Sequence, residues 1–538
     1  RMSSSYRTDV PRERNEDEMV YCVPGSSPEY CLNEQPFGFS HKSDYPGKFV
    51  PGDMRLGAHW SEFRDTSDVV DWSGRVDFTS QVNRTNMVQA GIEFSATPQH
   101  TNWGTPDDLL TGDDVYSQWD ATELYGAAYL QDKLEFKGMI ANVGLRLDYM
   151  DPNIDWYDYS DPYTQAFTGV NAAIMDSLLP KERVSPQVFL SPRLGISFPI
   201  TEASKLYFNY GHQRQRPVPT YLYQIRRDYI TNHVVQIANP NAPMELTIAY
   251  ELGYEQSLFN NKFLLRVAGY YRDIRDQMRQ IGYQSVDGLV DYSINQPDNY
   301  ADTRGVEVSL FKRTGWIRGF ANYSYMVRSR GNFGYGTQYE NRQDQREFER
   351  NATFTQSKPV PQPYARFNLE FVAPQDFGPS AGGIHPLGDW RISFLGEWQA
   401  GPTFTWTGAR QSVRGVQENM RWKGYRMVDM RIGKNFNVGT TNAQIFADIT
   451  NVFNIKNLNV GSFRNGDDMD RYLTSLHLPK KYVEGWEENY TQKDENDNPI
   501  YGSDKPGDID KDYIDKPDLT SLWYLFPRTV NLGVKLSF

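Results

Sequence analysis

An all-β chain closing into an antiparallel transmembrane barrel is the fold class this sequence predicts, and three observations predict it. The first is composition. The chain has 538 residues, only 39% of them hydrophobic, with a mean hydropathy of -0.66, yet aromatics reach 14% and Tyr alone numbers 35. A packed core of this size would use more Leu, Ile and Val, and disordered chains are poor in aromatics. A barrel with a thin apolar outer band, aromatic girdles and a polar interior satisfies both facts. The second is periodicity. The final stretch NLGVKLSF alternates Leu532, Val534, Leu536 and Phe538 with Asn531, Gly533, Lys535 and Ser537, so one face meets oil and the other water. The third is the lengths of the connections, which alternate between long and short.

The strands expected on this pattern fall near 68–82, 86–97, 121–134, 139–149, 190–199, 204–212, 244–258, 262–279, 299–312, 316–328, 361–374, 388–405, 421–436, 442–454 and 523–538. The last carries Trp523, Tyr524 and Phe526 at its start, where an aromatic belt would sit. In 442–454, Ala443, Ile445, Ala447 and Ile449 alternate with Gln444, Phe446, Asp448 and Thr450. Short links include EFKG at 135–138, ITEA at 200–203, FNN at 259–261, RTG after Lys312 and NVGTTN before 442. Long links span 98–120, 150–189, 213–243, 280–298, 329–360, 406–420 and 458–520. One connection, QDFGPSAGGIHPL at 375–387, is long where a short one is due. Short periplasmic turns alternating with long outer loops are the signature of an outer-membrane barrel. No internal repeat favours a propeller.

The net charge is -12 with no basic run, which argues against a nucleic-acid partner. No stretch of about 18 apolar residues exists to make a transmembrane helix, which leaves a barrel untouched. With the C-terminus periplasmic, 458–520 lies outside, strand 68–82 runs inward, and residues 1–67 form an extracellular loop segment ahead of the barrel at 68–538. That segment holds the two cysteines, Cys22 and Cys31, in YCVPGSSPEYC. In an oxidising compartment they read as a local disulfide, in a reducing one as two thiols; the export argument favours the disulfide. Fifteen strands is odd, whereas closed single-chain bacterial barrels have even numbers. If these are the last fifteen of a 22-strand plugged barrel, the first is the eighth, which should run inward, as 68–82 does.

At this point the sequence resembles the TonB-dependent receptors of Gram-negative outer membranes. SPRLGISFPIT (191–201) followed by KLYFNYGHQRQRP is similar to a mid-barrel hairpin of that family. ELTIAYELGYEQSLFNNKFLLRVAGYYRDIRDQM (245–278) resembles its strand, turn and strand ending in aromatic-x-x-D-I-x-D. YADTRGVEVSLFKR (300–313), YRMVDMRIGKNF and FADITNVFN (425–436 and 446–454) and the closing PRTVNLGVKLSF are similar to later strands, in a style nearest to receptors of the Bacteroidota. The resemblance implies a 22-strand barrel whose N-terminal plug and TonB-contacting box, neither recognisable here, would precede this chain, with a smaller pore lacking them as the alternative. It also implies TonB-dependent uptake of a scarce solute such as a siderophore, oligosaccharide, cobalamin or peptide. The implied partners are outer-membrane lipid, the TonB energy complex acting through the plug, the outer-membrane assembly machinery and, in a starch-utilisation type, a surface lipoprotein. Phe538 resembles the C-terminal signal such barrels present for assembly.

No catalytic motif emerges: there is no H-E-x-x-H, G-x-S-x-G, Walker A or dinucleotide fingerprint. The seven His are scattered. No cofactor is expected, apart from Ca²⁺ as a candidate at Asp508, Asp510 and Asp512 in GDIDKDYIDKPD, where hard oxygen ligands alternate. That segment lacks the Gly and distal Glu of an EF-hand, and a solvated acidic loop accounts for it more simply. Candidate substrate contacts are Trp156, Tyr157 and Tyr159, interleaved with Asp155, Asp158 and Asp161, and Tyr221 and Tyr223 in PVPTYLYQIRRDYI. Aromatic faces beside carboxylates stack on sugar rings or hold cations, and they also pack loop on loop, the reading preferred where aromatics are abundant. Charges at Arg146, Asp148, Glu307 and Lys535 fall on the wet face. Two other functions remain open, an adhesive surface barrel and, with less support, a barrel hydrolase.

Overall fold

The computed structural model describes residues 64–458 apart from 105–115, 159, 229–231, 353–355, 381–384, 406–415 and 439–440, together with 524–537 and short stretches between 480 and 501. Before residue 64 it describes the backbone of short strands only. Fifteen strands make the wall among the described residues: β1 (Asp68–Gln81), β2 (Asn86–Gly104), β3 (Tyr116–Phe136), β4 (Met139–Asp151), β5 (Gln187–Thr201), β6 (Ser204–Gln215), β7 (Glu245–Leu258), β8 (Phe263–Gln284), β9 (Asp291–Lys312), β10 (Ile317–Asn332), β11 (Val360–Val372), β12 (Trp390–Gln399), β13 (Tyr425–Val438), β14 (Thr441–Thr450) and β15 (Thr529–Ser537). Each pairs antiparallel with the next. Every expected strand has its counterpart in this meander. No ladder joins β15 to β1 among the described residues, and Ser4–Arg7 lies antiparallel along the outer edge of β1.

Register gives the wall two chemically distinct faces. Trp72 opposes Ala96, Val76 opposes Ile92 and Phe78 opposes Ala90. Leu130 opposes Leu145, and on the far side Val530, Leu532 and Val534 oppose Ile449, Ala447 and Ile445. All these side chains share one face, and its large members stand exposed, Leu532 at 81%. An apolar surface this wide is not stable against water and marks contact with a nonpolar phase. The other face is polar, and its aromatics are seated on glycines. The rings of Tyr129, Tyr207 and Phe446 occupy the space where a Cβ on Gly91, Gly253 and Gly533 of the adjacent strand would lie.

Several boundaries differ from the sequence expectation. The expected loop at 280–298 is instead the continuation of β8 and β9 into a hairpin closed at Ser285–Val290, where Gly288 takes φ +69°. The expected final strand at 523–538 breaks: Tyr524–Leu525 pairs with Asn457–Leu458, Phe526 adopts φ +51°, and β15 begins at Thr529. Strand 388–405 ends at Gln399. The common cause is that two-residue alternation persists only while one face is in a nonpolar phase. Beyond it both faces are wet and the pattern no longer reports the strand.

At the short-turn end, the described residues on either side of 381–384 in the irregular link after β11 bond back to the strand ends. Ala373 N–H donates to the Trp390 carbonyl at 2.8 Å, Phe377 N–H to Pro374 at 3.2 Å, Asp389 N–H also to Pro374 at 3.2 Å, and Gly388 N–H to His385 at 3.0 Å. At the long-link end, the links between β4 and β5 and between β6 and β7 join the tip of the β8–β9 hairpin in a separate apolar core. It contains Trp156, Phe167, Met175, Leu179, Val234, Ile237 and Tyr292.

Candidate functional site

The site is built from the polar face of the wall and the cap of links above it. Along the wall, oppositely charged groups lie in reach on neighbouring or alternate positions. Arg75 bonds Asp77 at 2.7 Å, and Tyr129 from β3 donates to the same carboxylate at 2.7 Å. Arg146 bonds Asp148 at 2.8 Å and Tyr125 at 2.7 Å, with Glu93 of β2 at 3.6 Å. Glu255 takes both Lys205 at 3.0 Å and Arg266 at 2.8 Å, Arg391 meets Glu370 at 3.2 Å, and Arg431 meets Asp448 at 3.2 Å. Between these pairs lies a depression of about 720 Å³ bordered by Asn142, Arg193, Asn209, Glu251, Tyr270, Arg272 and Glu307. Arg146, Asp148, Glu307 and Lys535 all stand on this face, as their cross-strand partners show.

The cap reaches down onto that face. The link after β6 carries a short helix, Pro219–Tyr223, and Tyr223 is fully buried with Leu222 against Trp119 of β3. Tyr223 Oη donates to the Pro152 carbonyl at 2.9 Å, tying two links together, and burial pushes its phenol well above the ordinary range. Arg216 at the start of the same link bonds Glu123 at 3.3 Å and lies over the Tyr125 ring at 4.7 Å. Gln224 bonds Ser117 of the same strand. Positions 117, 119, 123 and 125 alternate onto the polar side of β3, so this link packs on that face at its long-link end.

The aromatic residues picked out in the sequence divide. Trp156 is buried in the ladder Asp155–Tyr157 with Lys181–Arg183. Phe167 packs on Tyr292 at 4.7 Å, Tyr292 stacks on Tyr283 at 5.6 Å, and Tyr163 meets Tyr283 edge-on at 6.0 Å. Tyr223 is interior, Tyr221 is half-buried, and Tyr159 lies outside the described residues. Tyr157 keeps one side open. Its hydroxyl donates to Asp176 at 2.5 Å, and Lys181 sits 4.5 Å over its ring and 3.1 Å from the same carboxylate. The Tyr157 hydroxyl, followed by Lys181, holds the Asp176 carboxyl below the usual range, and burial raises the Tyr157 phenol. Sequence reading missed Glu123, Arg216 and Gln224, whose partners are separated by about a hundred residues and leave no local signal.

Asp508, Asp510, Asp512 and Phe538 lie outside the described residues. The backbone of Cys22 stands opposite Cys31 in a two-residue antiparallel ladder, and their side chains lie outside the described part.

A meander with one exposed apolar face, one ion-paired polar face and alternating link lengths is the wall of an outer-membrane β-barrel. The family model described as TonB dependent receptor-like, beta-barrel matches residues 29–452, and the chain belongs to that family. The apolar face is therefore the lipid face in the Gram-negative outer membrane, the polar face the lumen, the short turns periplasmic and the cap extracellular. Solved structures of similar shape include the outer membrane transporter YddB from Escherichia coli, at 11% identity and TM-score 0.49, covering 78% of this chain and 54% of that one. Others are the FrpB iron transporter from Neisseria meningitidis, at 12%, 0.45, 73% and 52%, and the Serratia marcescens hemophore receptor HasR, at 12%, 0.46, 73% and 56%. The chain spans about half the length of these structures. Among curated proteins no match was found.

Proposed function

We propose that the protein to which this chain belongs takes up a scarce solute across the outer membrane, driven by TonB acting on a plug domain. The supporting observation is the lumenal wall. Many of its charges are held in pairs, its 720 Å³ depression is lined by amide, guanidinium, carboxylate and phenol groups, and a packed cap reaches onto its outer end. A passive pore needs no cap, and an adhesive barrel needs no continuous polar lumen. The proposed first contacts for the solute are the accessible cap groups Tyr157 and Tyr221, with Trp156 and Tyr223 shaping the cap from beneath. The proposed disulfide between Cys22 and Cys31 and the proposed Ca²⁺ at Asp508, Asp510 and Asp512 belong to the same extracellular side. A surface lipoprotein is a further proposed partner.

The test is accumulation of labelled siderophore, oligosaccharide, cobalamin and peptide by cells producing the whole receptor, with and without TonB. One of the four should accumulate only when receptor and TonB are both present. Entry that persists undiminished without TonB, for every solute taken up, would overturn the reading.

A further inference from the structure

Cross-strand register lines up one row of the lumenal wall that departs from the paired pattern. Arg193 of β5 stands opposite Gly211 of β6, which stands opposite Ala249 of β7. Ala249 stands opposite Arg272 of β8, Arg272 opposite Thr303 of β9, and Thr303 opposite Arg328 of β10. The face is the lumenal one, since Arg193, Gly211, Ala249 and Arg272 all border the 720 Å³ depression. Three guanidiniums and no carboxylate share this row, and small side chains separate them. All three are exposed, and none has a carboxylate in ion-pair reach among the described residues. Elsewhere on the same face Arg75, Arg146 and Arg266 each hold one.

The spacing within the row is regular. Arg193 leans over Gly211, its Cγ 3.5 Å from where a Cβ on that glycine would lie. Arg272 lies over the Tyr270 ring, 5.3 Å from its centroid. Neighbouring strands are about 4.8 Å apart, so positive charge recurs about every 10 Å from β6 to β8 to β10, with Ala249 and Thr303 in the gaps. The row beneath supplies neutral groups, Asn142, Asn209 and Tyr270. Its one carboxylate between β4 and β10, Glu251, accepts from Tyr207 at 3.1 Å and from Asn209 at 3.5 Å, and Glu307 lies one row further down. The row runs toward the outer end of the wall: Arg328 is four residues short of Asn332, where β10 ends, and Arg193 six residues past Gln187, where β5 begins.

We propose that this row is a track for an acidic oligosaccharide, whose carboxylates pair with Arg193, Arg272 and Arg328. The inference rests on the uptake reading above and names the class of solute. The cation pattern is about 20 Å long and one residue wide, which selects an elongated anion over a compact one. A guanidinium presents two parallel N–H groups that match a carboxylate. The amides beneath donate and accept together, as sugar hydroxyls require, and the Tyr270 ring offers an apolar face to a sugar ring. Placement near the outer ends of the strands puts the track on the side from which a solute arrives.

The experiment measures binding to the whole receptor, plug included, in detergent by titration calorimetry. The probes are hexagalacturonate, neutral maltohexaose and hexaglutamate. Hexagalacturonate should bind, maltohexaose should not, and the affinity should fall as salt screens the exposed charges. Arg193→Gln, Arg272→Gln and Arg328→Gln should each weaken binding about tenfold, the loss of one hydrogen bond to a charged group. Arg272→Lys, which keeps the charge, should lose less than Arg272→Gln. Lys262→Gln removes the same charge from a periplasmic turn and should lose nothing. Maltohexaose binding as tightly as hexagalacturonate, wild-type affinity in all three Gln variants, or an equal loss in Lys262→Gln overturns the track. Tighter binding of hexaglutamate overturns the sugar in favour of an acidic peptide. A receptor that accumulates another solute in a TonB-dependent way and does not bind hexagalacturonate overturns this inference and keeps the uptake reading. Three positions report on one row, so a single variant that assembles poorly does not decide the result.

Discussion

Tyr223 shows what a single side chain does in the cap. Its ring is buried against Trp119 and its hydroxyl is the donor for the Pro152 carbonyl. Tyr223→Phe keeps the ring and leaves that carbonyl without its donor, a loss of about 1–3 kcal/mol. Tyr223→Ala also empties the ring's volume and should cost about 3–5 kcal/mol, the range for large aromatic deletions. Both losses are local to the cap. Hydrogen exchange should show faster opening of 150–186 and 216–244 in the order Ala, Phe, wild type, with the strands of the wall unchanged. Glycine under a ring is the matching device in the wall. Any side chain at Gly253 must displace Tyr207, whose hydroxyl donates to Glu251 at 3.1 Å.

Among elements, β15 offers the cleanest contrast. Leu532 lies on the lipid face and Asn531 on the lumenal face, one residue apart. Leu532→Arg should destabilise the folded barrel by about 2–4 kcal/mol, the penalty for a guanidinium near the bilayer midplane, whereas Asn531→Arg meets water and the Asp448 side and should cost little. Urea titration of receptor folded into lipid vesicles distinguishes them, and equal penalties would mean the faces are misassigned. The same strand explains what the sequence made legible. Alternation in NLGVKLSF survives because lipid and water select opposite residues at each step, and this selection located all fifteen strands. It lapses where β8 and β9 rise out of the membrane, so 280–298 reads as a loop although it is a hairpin. In the cap, residue type pointed to Trp156 and Tyr223, but nothing local says that a Tyr points inward. The bond from Arg216 to Glu123, strands apart, leaves no trace in either neighbourhood.

At the scale of the whole molecule, wall and cap are stabilised differently. The wall is held by continuous ladders and lipid contact, the cap by its own small core and exposed polar pairs such as Asp176 with Tyr157 and Lys181. Regions with few ladder bonds open first. Because the folded Asp176 carboxyl titrates below its ordinary value of 3.8, its contribution is fully present above that value and is lost as pH falls through the lower, folded one. Acidification below pH 3.8 should therefore loosen the 155–181 region before any strand, and Asp176→Asn should remove that pH response. Limited proteolysis across the titration would read it, and simultaneous loss of cap and wall would contradict it.

Where lumenal charges are coupled into neighbouring opposites, as Arg75 with Asp77 and Arg146 with Asp148, the coupling sets how far each is felt. A guanidinium beside its carboxylate projects a dipolar field, which fades within a few ångströms, where an isolated cation would attract or repel from afar. Such a pair neither holds an anion nor repels a cation at a distance. It offers a small polar molecule alongside it brief, exchangeable hydrogen bonds instead of a fixed charge.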